Sequence, residues 1–290
     1  MQLHKTWQQV AVGLSIAVLV GGVSGCGKLV SGANAVPTVK YLADASAVAE
    51  AEATTVSSDT GPGDAAAGGV GSINGRVVFD GAFTPLSPLF AKGAAAKDPS
   101  VCGAEAIPDE RIVVNDGGLA NVFIYLEKAP KGSKAPEIPG PIEFDQKTCI
   151  FLPHAMVMRT KQVVTVFNDD AAAHNTHTYP KKSSPFNSVV QPNDRVGVPL
   201  KYDQVEKEPV SVGCDIHPWM QAYHLPLDHP YAAVSKADGT FEIKDLPVGK
   251  HEFKVWHEVG KMLEKSFVIT VKPGDNDVPP IKVAASKLGK

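Results

Sequence analysis

From Ser72 onward the sequence is a series of short runs in which apolar and polar residues alternate, each bounded by Gly, Pro, Asn or Asp. The clearest runs are SINGRVVFDG, ANVFIYLEK, AMVMRTKQVVTVFND, EPVSVGC, TFEIKDLPVGKHEFKVWHE and KSFVITVKPGD. A period of two places successive side chains on opposite faces of a strand, and no long amphipathic helix interrupts the series. The pattern predicts an all-β protein built from Greek-key β-sandwiches.

The first 25 residues follow a different pattern. His4 and Lys5 precede an apolar run from Val10 to Val20, which small residues connect to Cys26 in the sequence VSGC. The run is shorter than the roughly 20 apolar residues that span a bilayer, so we expect a secretory signal peptide over residues 1–25. VSGC resembles the lipobox of bacterial lipoproteins, which implies cleavage before Cys26 and lipidation of its thiol. The alternative is an ordinary signal peptide with a chance cysteine.

Residues 26–71 are dominated by Ala, Ser, Gly, Thr and Val, and we expect them to form a flexible tether. The rest of the chain is long enough for one large or two small domains. The formal net charge is −3 and the Lys and Arg residues are scattered. This argues against nucleic-acid binding.

The four cysteines have different surroundings. With Cys26 assigned to the lipid, an exported compartment permits a disulfide between two of the other three. Cys214 lies among residue types that bind metals, whereas Cys102 and Cys149 do not. Those two are therefore the candidates for the bridge, and Cys214 remains a thiol.

The sequence CDIHPWM spaces Cys214, His217 and Met220 three residues apart. Alternation along PVSVGC places Cys214 on the same inward face as two valines. A thiolate, imidazoles and a distant thioether favour copper in a trigonal His₂Cys site with a weak axial Met. The second imidazole would come from His174 or His177 in VFNDDAAAHNTHT. Asp169 and Asp170 in the same stretch are expected to be turn formers or solvated charges.

HNTH followed by CDIHPWM resembles the cupredoxin family, and most closely its amicyanin-type members, in the Cys-x-x-His-x-x-Met spacing with Pro after the His. The resemblance implies that Asn175 ties the two ligand loops together and supports the sulfur, and it gives His177 no ligand role. It also implies that His217 is the ligand nearest the surface, where electrons would enter or leave. The implied ligands of one type 1 copper ion are His174, Cys214, His217 and Met220.

A second resemblance concerns the flanking regions. DGTFEIKDLPVGKHEFKVWHE resembles the closing half of a carboxypeptidase regulatory-like (transthyretin-like) sandwich, and SINGRVVFDG and LANVFIYLEK resemble its opening half. This implies a discontinuous sandwich of residues 72–130 with 231–286, into which a cupredoxin-like domain of residues 131–230 is inserted. Three consecutive blocks without insertion are the alternative. The nested arrangement resembles methylamine-utilisation-like envelope lipoproteins.

Together these resemblances imply a lipid-anchored, periplasm-facing envelope protein that carries single electrons to or from a redox partner protein. The sequence has no nucleophile-elbow motif, phosphate loop or dinucleotide fingerprint, so no enzymatic activity is expected. The alternatives are a metal-free structural or interaction module of the envelope and a copper-holding protein. A second metal site where the two sandwiches meet is a further hypothesis, with His224, His229 and His257 as its ligands.

Overall fold

The computed structural model describes residues 69–133 and 136–289, and nearly all regular structure in these residues is β-strand. The predicted signal peptide, Cys26 and the predicted tether up to residue 68 lie outside the described residues. Within the described part of the chain, no helix has the length and apolar character needed to cross a membrane.

Most strands follow one another with short connections, but residues 81–113 form a long segment whose regular structure is a one-turn helix and a bridge between Phe90 and Ile107. The helical elements are α1 (Pro99–Cys102) and a 3₁₀ turn (Ala285–Leu288). The strands are β1 (Val70–Asp80), β2 (Val114–Asn115), β3 (Gly118–Leu119), β4 (Phe123–Leu126), β5 (Ile142–Lys147), β6 (Ile150–Leu152), β7 (Ala155–Arg159), β8 (Val164–Val166), β9 (His174–Tyr179), β10 (Asn187–Val190), β11 (Val198–Leu200), β12 (Val210–Gly213), β13 (Gln221–Leu227), β14 (Ala232–Val234), β15 (Thr240–Pro247), β16 (Gly249–His257), β17 (Lys261–Val271), β18 (Gly274–Asp277) and β19 (Ile281–Ala284).

Two sheets combine strands from both ends of the described chain, and we call them the terminal sandwich. One sheet has the order β15-β1-β3-β2, with β18 and β19 also pairing with β1, and the other has the order β14-β4-β16-β17. The core between them is apolar and fully buried; its members include Ile73, Val77, Ile124, Phe241, Phe253 and Val255.

The other two sheets, made of strands between residues 142 and 227, form the central sandwich. Their orders are β10-β9-β12-β13-β7 and β11-β8-β5-β6. Part of the long segment after β1 packs on this second core, which includes Cys102 and Ile107 beside Phe144, Val166 and Val212. The prediction of an all-β protein of β-sandwiches is confirmed.

Strand β4 lies between the two sandwiches and is buried on both faces. Ile124 and Leu126 point into the terminal core, whereas Phe123 and Tyr125 pack with Leu225 and neighbouring apolar residues of the contact between the sandwiches. A strand covered on both faces is apolar at every position rather than at every second one. This explains why FIYL does not alternate.

Candidate metal centre

The sheet of the central sandwich brings the two predicted ligand regions to one edge. Strand β9 begins at His174, and it pairs antiparallel with β12, with His177 opposite Gly213. Because the strands run in opposite directions, the first residue of β9 and the residue that follows β12 lie at the same end. Cys214 is therefore delivered next to His174, with its side chain on the buried face shared by Val210 and Val212.

Three donor atoms converge at this edge. The Nδ1 atoms of His174 and His217 lie 2.9 Å apart, and the Cys214 Sγ lies 3.9 Å from the Nδ1 of His217. The donor atoms of all three residues lie within 4.8 Å of one another, and all three side chains are buried. Imidazole nitrogen and thiolate sulfur bind a transition metal at about 2.0–2.3 Å, so two donors to one ion lie about 3–4 Å apart. The donor set therefore fits a metal ion of the soft-to-borderline class that includes copper.

The loop from Cys214 to Met220 closes on itself through its backbone. The amide of Cys214 donates to the carbonyl of Met220 over 3.3 Å, and the amide of Met220 donates to the carbonyl of His217 over 2.9 Å. The amide of His217 also donates to the Cys214 sulfur over 3.3 Å. Met220 is buried within this closed loop, and its thioether stays a predicted ligand.

Asn175 connects the two ligand regions. Its Oδ1 accepts hydrogen bonds from the amides of Asp215 over 2.7 Å and Ile216 over 3.3 Å, and from the Cys214 thiol over 3.3 Å. Its Nδ2 donates to the carboxylate of Asp215 over 2.8 Å. These bonds tie the residue after His174 to the residues after Cys214, which is the role that the resemblance assigns to Asn175.

A carboxylate stands behind each imidazole. The Nε2 of His174 lies 2.8 Å from an Asp170 oxygen, and the Nε2 of His217 lies 2.9 Å from an Asp98 oxygen. Such bonds fix the ring orientation and the tautomer, which leaves Nδ1 facing the centre. Asp170 is itself held by the amides of Thr148 and Cys149. Asp170 is 6% exposed and its carboxylate bonds to His174, so the expectation of a solvated charge is wrong for this residue.

Protonation equilibria at the centre favour the metal-binding form of the sulfur. Burial alone would raise the pKa of Cys214, but the bond to His174 and backbone amide donors lower it below its ordinary value. Burial would lower the pKa of His174, but Asp170 and Cys214 together raise it to about 9. Burial and the neighbouring His174 lower the pKa of His217. The thiolate is the metal-binding form of cysteine, so the lowered pKa of Cys214 favours binding, whereas a metal ion must displace the proton that the raised pKa of His174 retains.

The ring of His217 does not itself reach the surface. It is 0% exposed, and Asp98 at the start of α1 covers its outer nitrogen. The covering segment is held to the central sandwich by a disulfide between Cys102 and Cys149. The ring of Trp219 packs against that of His217 at 5.1 Å, and its indole donates to the carbonyl of Cys149 over 3.1 Å. Residues 89–107 thus cover the outer side of His217.

The other histidines have partners elsewhere. The ring nitrogen of His177 lies 3.1 Å from Asp215 and 3.0 Å from the hydroxyl of Tyr179, away from the three converging donors. Within the described residues, His224, His229 and His257 do not gather into a group of three donors, so the hypothesis of a metal site among them is wrong. The remaining donor group joins Cys149 and Asp170 to His174. Cys149 is a poor ligand because its sulfur belongs to the disulfide.

The sequence did not predict that Asp98 and Asp170 bond to the two imidazoles. Asp170 stands four residues before His174, and an acidic residue so close to a candidate ligand was the available signal. Asp98 lies 119 residues from His217, so no local sequence pattern connects it to this ligand.

No protein-family model matches the chain, and no match is found among curated proteins. Amicyanin from Paracoccus versutus is a similar solved structure, with 12% identity over 37% of this chain and 98% of that chain and a TM-score of 0.26. A purple cupredoxin from Nitrosopumilus maritimus has 16% identity over 29% of this chain and 98% of that chain, with a TM-score of 0.25. A copper-containing nitrite reductase from Thermus scotoductus SA-01 has 17% identity and a TM-score of 0.28. That match covers 34% of this chain but only 25% of the reductase. These likenesses are partial and distant, and none is close enough to assign a function.

Proposed function

We propose that the protein carries single electrons through one type 1 copper ion, bound by His174, Cys214 and His217 with Met220 as a weak axial ligand. The observation that carries this proposal is the convergence of two imidazole Nδ1 atoms and one thiol in a buried site. A trigonal His₂Cys set with a distant thioether is the donor set of copper electron-transfer sites.

The protein's own residues would perform three tasks at this site. Asp98 and Asp170 hold the imidazoles with Nδ1 facing inward. Asn175 holds the ligand loops together and bonds to the sulfur. Burial excludes water, which limits the access of competing ligands. A copper ion bound there would supply one-electron exchange, and a rigid donor set keeps the accompanying rearrangement small.

The cellular setting is part of the same proposal. Lipidation at Cys26 would anchor the protein to a membrane with its folded part facing the periplasm, where a redox partner protein would exchange electrons with it. The buried Cys102–Cys149 disulfide supports an exported location, because disulfides persist in oxidising compartments. We assign no enzymatic activity and no nucleic-acid binding to it.

The nested architecture also belongs to the proposal. The terminal sandwich would be a carboxypeptidase regulatory-like module, and the central sandwich an inserted amicyanin-like domain. The strand composition of the sheets supports this, because β1 to β4 share sheets with β14 to β19, whereas β5 to β13 pair among themselves.

The test is a titration of the full-length chain, purified in detergent, with Cu(II) while visible absorption is recorded. We expect an intense thiolate-to-copper band that saturates at one equivalent, disappears on reduction and returns on oxidation. The variant Cys214→Ser should lack the band because it lacks the thiolate, while its circular dichroism should stay that of the wild type.

The alternatives give different results in the same titration. Copper binding without reversible reduction and oxidation would indicate a copper-holding protein. The absence of a band in a folded chain with a free Cys214 thiol would indicate a metal-free interaction module and would overturn the proposal.

A further inference from the structure

A cleft of about 250 Å³ lies where residues 108–111, the loop ending at Met220 and the end of β16 meet. Leu89, Ile150 and Trp219 form part of its apolar lining. Its polar lining includes His154, Glu110 and Glu258. None of these three residues takes part in the centre around Cys214, so the cleft requires its own explanation.

The two ring nitrogens of His154 differ: Nε2 makes a hydrogen bond, whereas Nδ1 does not. Its ring is 7% exposed, and Nε2 lies 2.5 Å from an oxygen of Glu258, which is also 7% exposed. The buried Nδ1 has no hydrogen-bond partner at normal distance and angle among the described residues, although the backbone of Gln221 lies near the ring. A carboxylate oxygen of Glu110 faces this Nδ1 at 3.7 Å.

This arrangement places two acceptors opposite each other. When Nε2 carries the proton that it donates to Glu258, the neutral ring presents a lone pair at Nδ1. The Glu110 oxygen opposite is also an acceptor, and 3.7 Å is too long for a hydrogen bond. A buried polar atom without a partner destabilises the fold. A cation between the two atoms would satisfy both.

The separation suits a metal ion. Nitrogen and oxygen ligands bind Zn²⁺ at about 2.0–2.2 Å, so one ion can bridge donors up to about 4.2 Å apart. The spacing of 3.7 Å corresponds to a bent N–metal–O arrangement, and the cleft provides room for water or an external ligand at the remaining positions. The bond from Nε2 to Glu258 resembles the carboxylate–histidine pairs that orient metal-binding imidazoles.

We propose that Nδ1 of His154 and the carboxylate of Glu110 bind a divalent transition metal ion of the zinc and copper(II) class, and that Glu258 orients the ring. The site is separate from the centre around Cys214, although Met220 and Trp219 border the same cleft. The guanidinium of Arg111 is paired with Asp109 at 2.5 Å, and its charge also interacts with that of Glu258.

A proton is the competing occupant. Burial lowers the pKa of His154, but Glu258, Glu110 and the backbone of Gln221 raise it above its ordinary value. Burial also raises the pKa of Glu110, which the charge of His154 opposes. A metal ion would displace a proton from the imidazolium, since metal ligands must be deprotonated.

The first experiment measures Zn²⁺ bound per full-length chain by equilibrium dialysis and elemental analysis at pH 7.5. We expect the wild type to bind one more ion than Glu110→Gln and than His154→Gln. Glu258→Gln should retain the ion with an affinity about 10–100-fold lower, because the orienting carboxylate is lost. Glu105→Gln is the matched control, since Glu105 is exposed and pairs with Lys92 on the surface. Equal stoichiometry and affinity in the wild type and Glu110→Gln would overturn the proposal.

The second experiment needs no variant and so does not depend on the variants folding. Long-range ¹⁵N correlation spectra of the wild type report the protonation of each His154 nitrogen before and after Zn²⁺ addition. We expect Nε2 to stay protonated and the Nδ1 resonance to shift on metal binding. If both nitrogens stay protonated and unaffected by Zn²⁺, the occupant is a proton and the site is not a metal site.

Discussion

Asp98 accepts a hydrogen bond of 2.9 Å from Nε2 of His217, a residue 119 positions further along the chain. Asp98 reaches this position with a left-handed backbone, φ 44°, immediately before α1. It belongs to the segment that covers the proposed copper ligand, so the accessibility and orientation of His217 depend on a residue outside the strands of the central sandwich.

We predict that Asp98→Ala weakens copper binding by about 10–100-fold, because the His217 ring loses the carboxylate that orients it. Competition with a chelator of known affinity measures the change. In the copper-free protein, ¹⁵N spectra of His217 should show that the tautomer is no longer fixed. The matched control is Asp116→Ala, which also removes an aspartate with a left-handed backbone, φ 48°. Unchanged affinity and an unchanged tautomer in Asp98→Ala would refute the positioning role.

The disulfide that holds the covering segment should contribute strongly to stability. Cys102 and Cys149 are 47 residues apart, and closing such a loop stabilises a folded chain by about 4 kcal/mol in the chain-entropy model. We predict that the double variant Cys102→Ala/Cys149→Ala lowers the free energy of unfolding by about that amount in urea denaturation. Cys214→Ala is the control for loss of a buried sulfur without a cross-link. A loss no greater than that of the control would contradict the prediction.

The sequence was informative where local periodicity determines structure. Alternation along PVSVGC predicted that Val210, Val212 and Cys214 share a buried face, and all three are buried whereas Ser211 is exposed. For strand β4 the sequence could not predict which residues face which core, because the strand is buried on both faces and its residues do not alternate.

Long-range contacts account for what the sequence did not reveal about the site. Asp98 lies in a segment without strand or helix periodicity, and only the tertiary structure brings that segment against the CDIHPWM loop. Likewise, Glu110 and Glu258 approach His154 from sequence positions 44 residues before it and 104 residues after it. Neither spacing corresponds to a local motif.

Asn175 should stabilise the ligand loops even without metal. Its Oδ1 is the acceptor for the partly buried amides of Asp215 and Ile216. We predict that Asn175→Ala lowers the free energy of unfolding of the copper-free protein by about 2 kcal/mol, because these amides lose their partner. The control Asn187→Ala removes an exposed residue that bonds to the Asn175 amide, and should cost less than about 0.5 kcal/mol. Urea denaturation of both variants checks this, and equal losses would contradict it.

His224 should make the fold sensitive to acid. It is completely buried, and burial lowers its pKa from 6.5 to about 3. A base with a lowered pKa in the folded state binds its proton more readily when unfolded. Its contribution to stability is therefore complete above pH 6.5 and is lost as the pH falls towards 3.

Removing this histidine should reduce the pH dependence of the free energy of unfolding by the contribution of one protonation site. When the unfolded state binds one proton more than the folded state, the free energy of unfolding changes by about 1.4 kcal/mol per pH unit. Between pH 6.5 and pH 5 this amounts to about 2 kcal/mol. We predict that His224→Leu loses about 2 kcal/mol less than the wild type over this interval, measured by urea denaturation of the copper-free protein. Leu suits the apolar surroundings, which include Phe144, although the hydroxyl of Tyr202 loses its bond to the ring. That loss lowers stability equally at both pH values, so it cancels from the difference. Parallel pH profiles for the two proteins would show that His224 already binds its proton in the folded state.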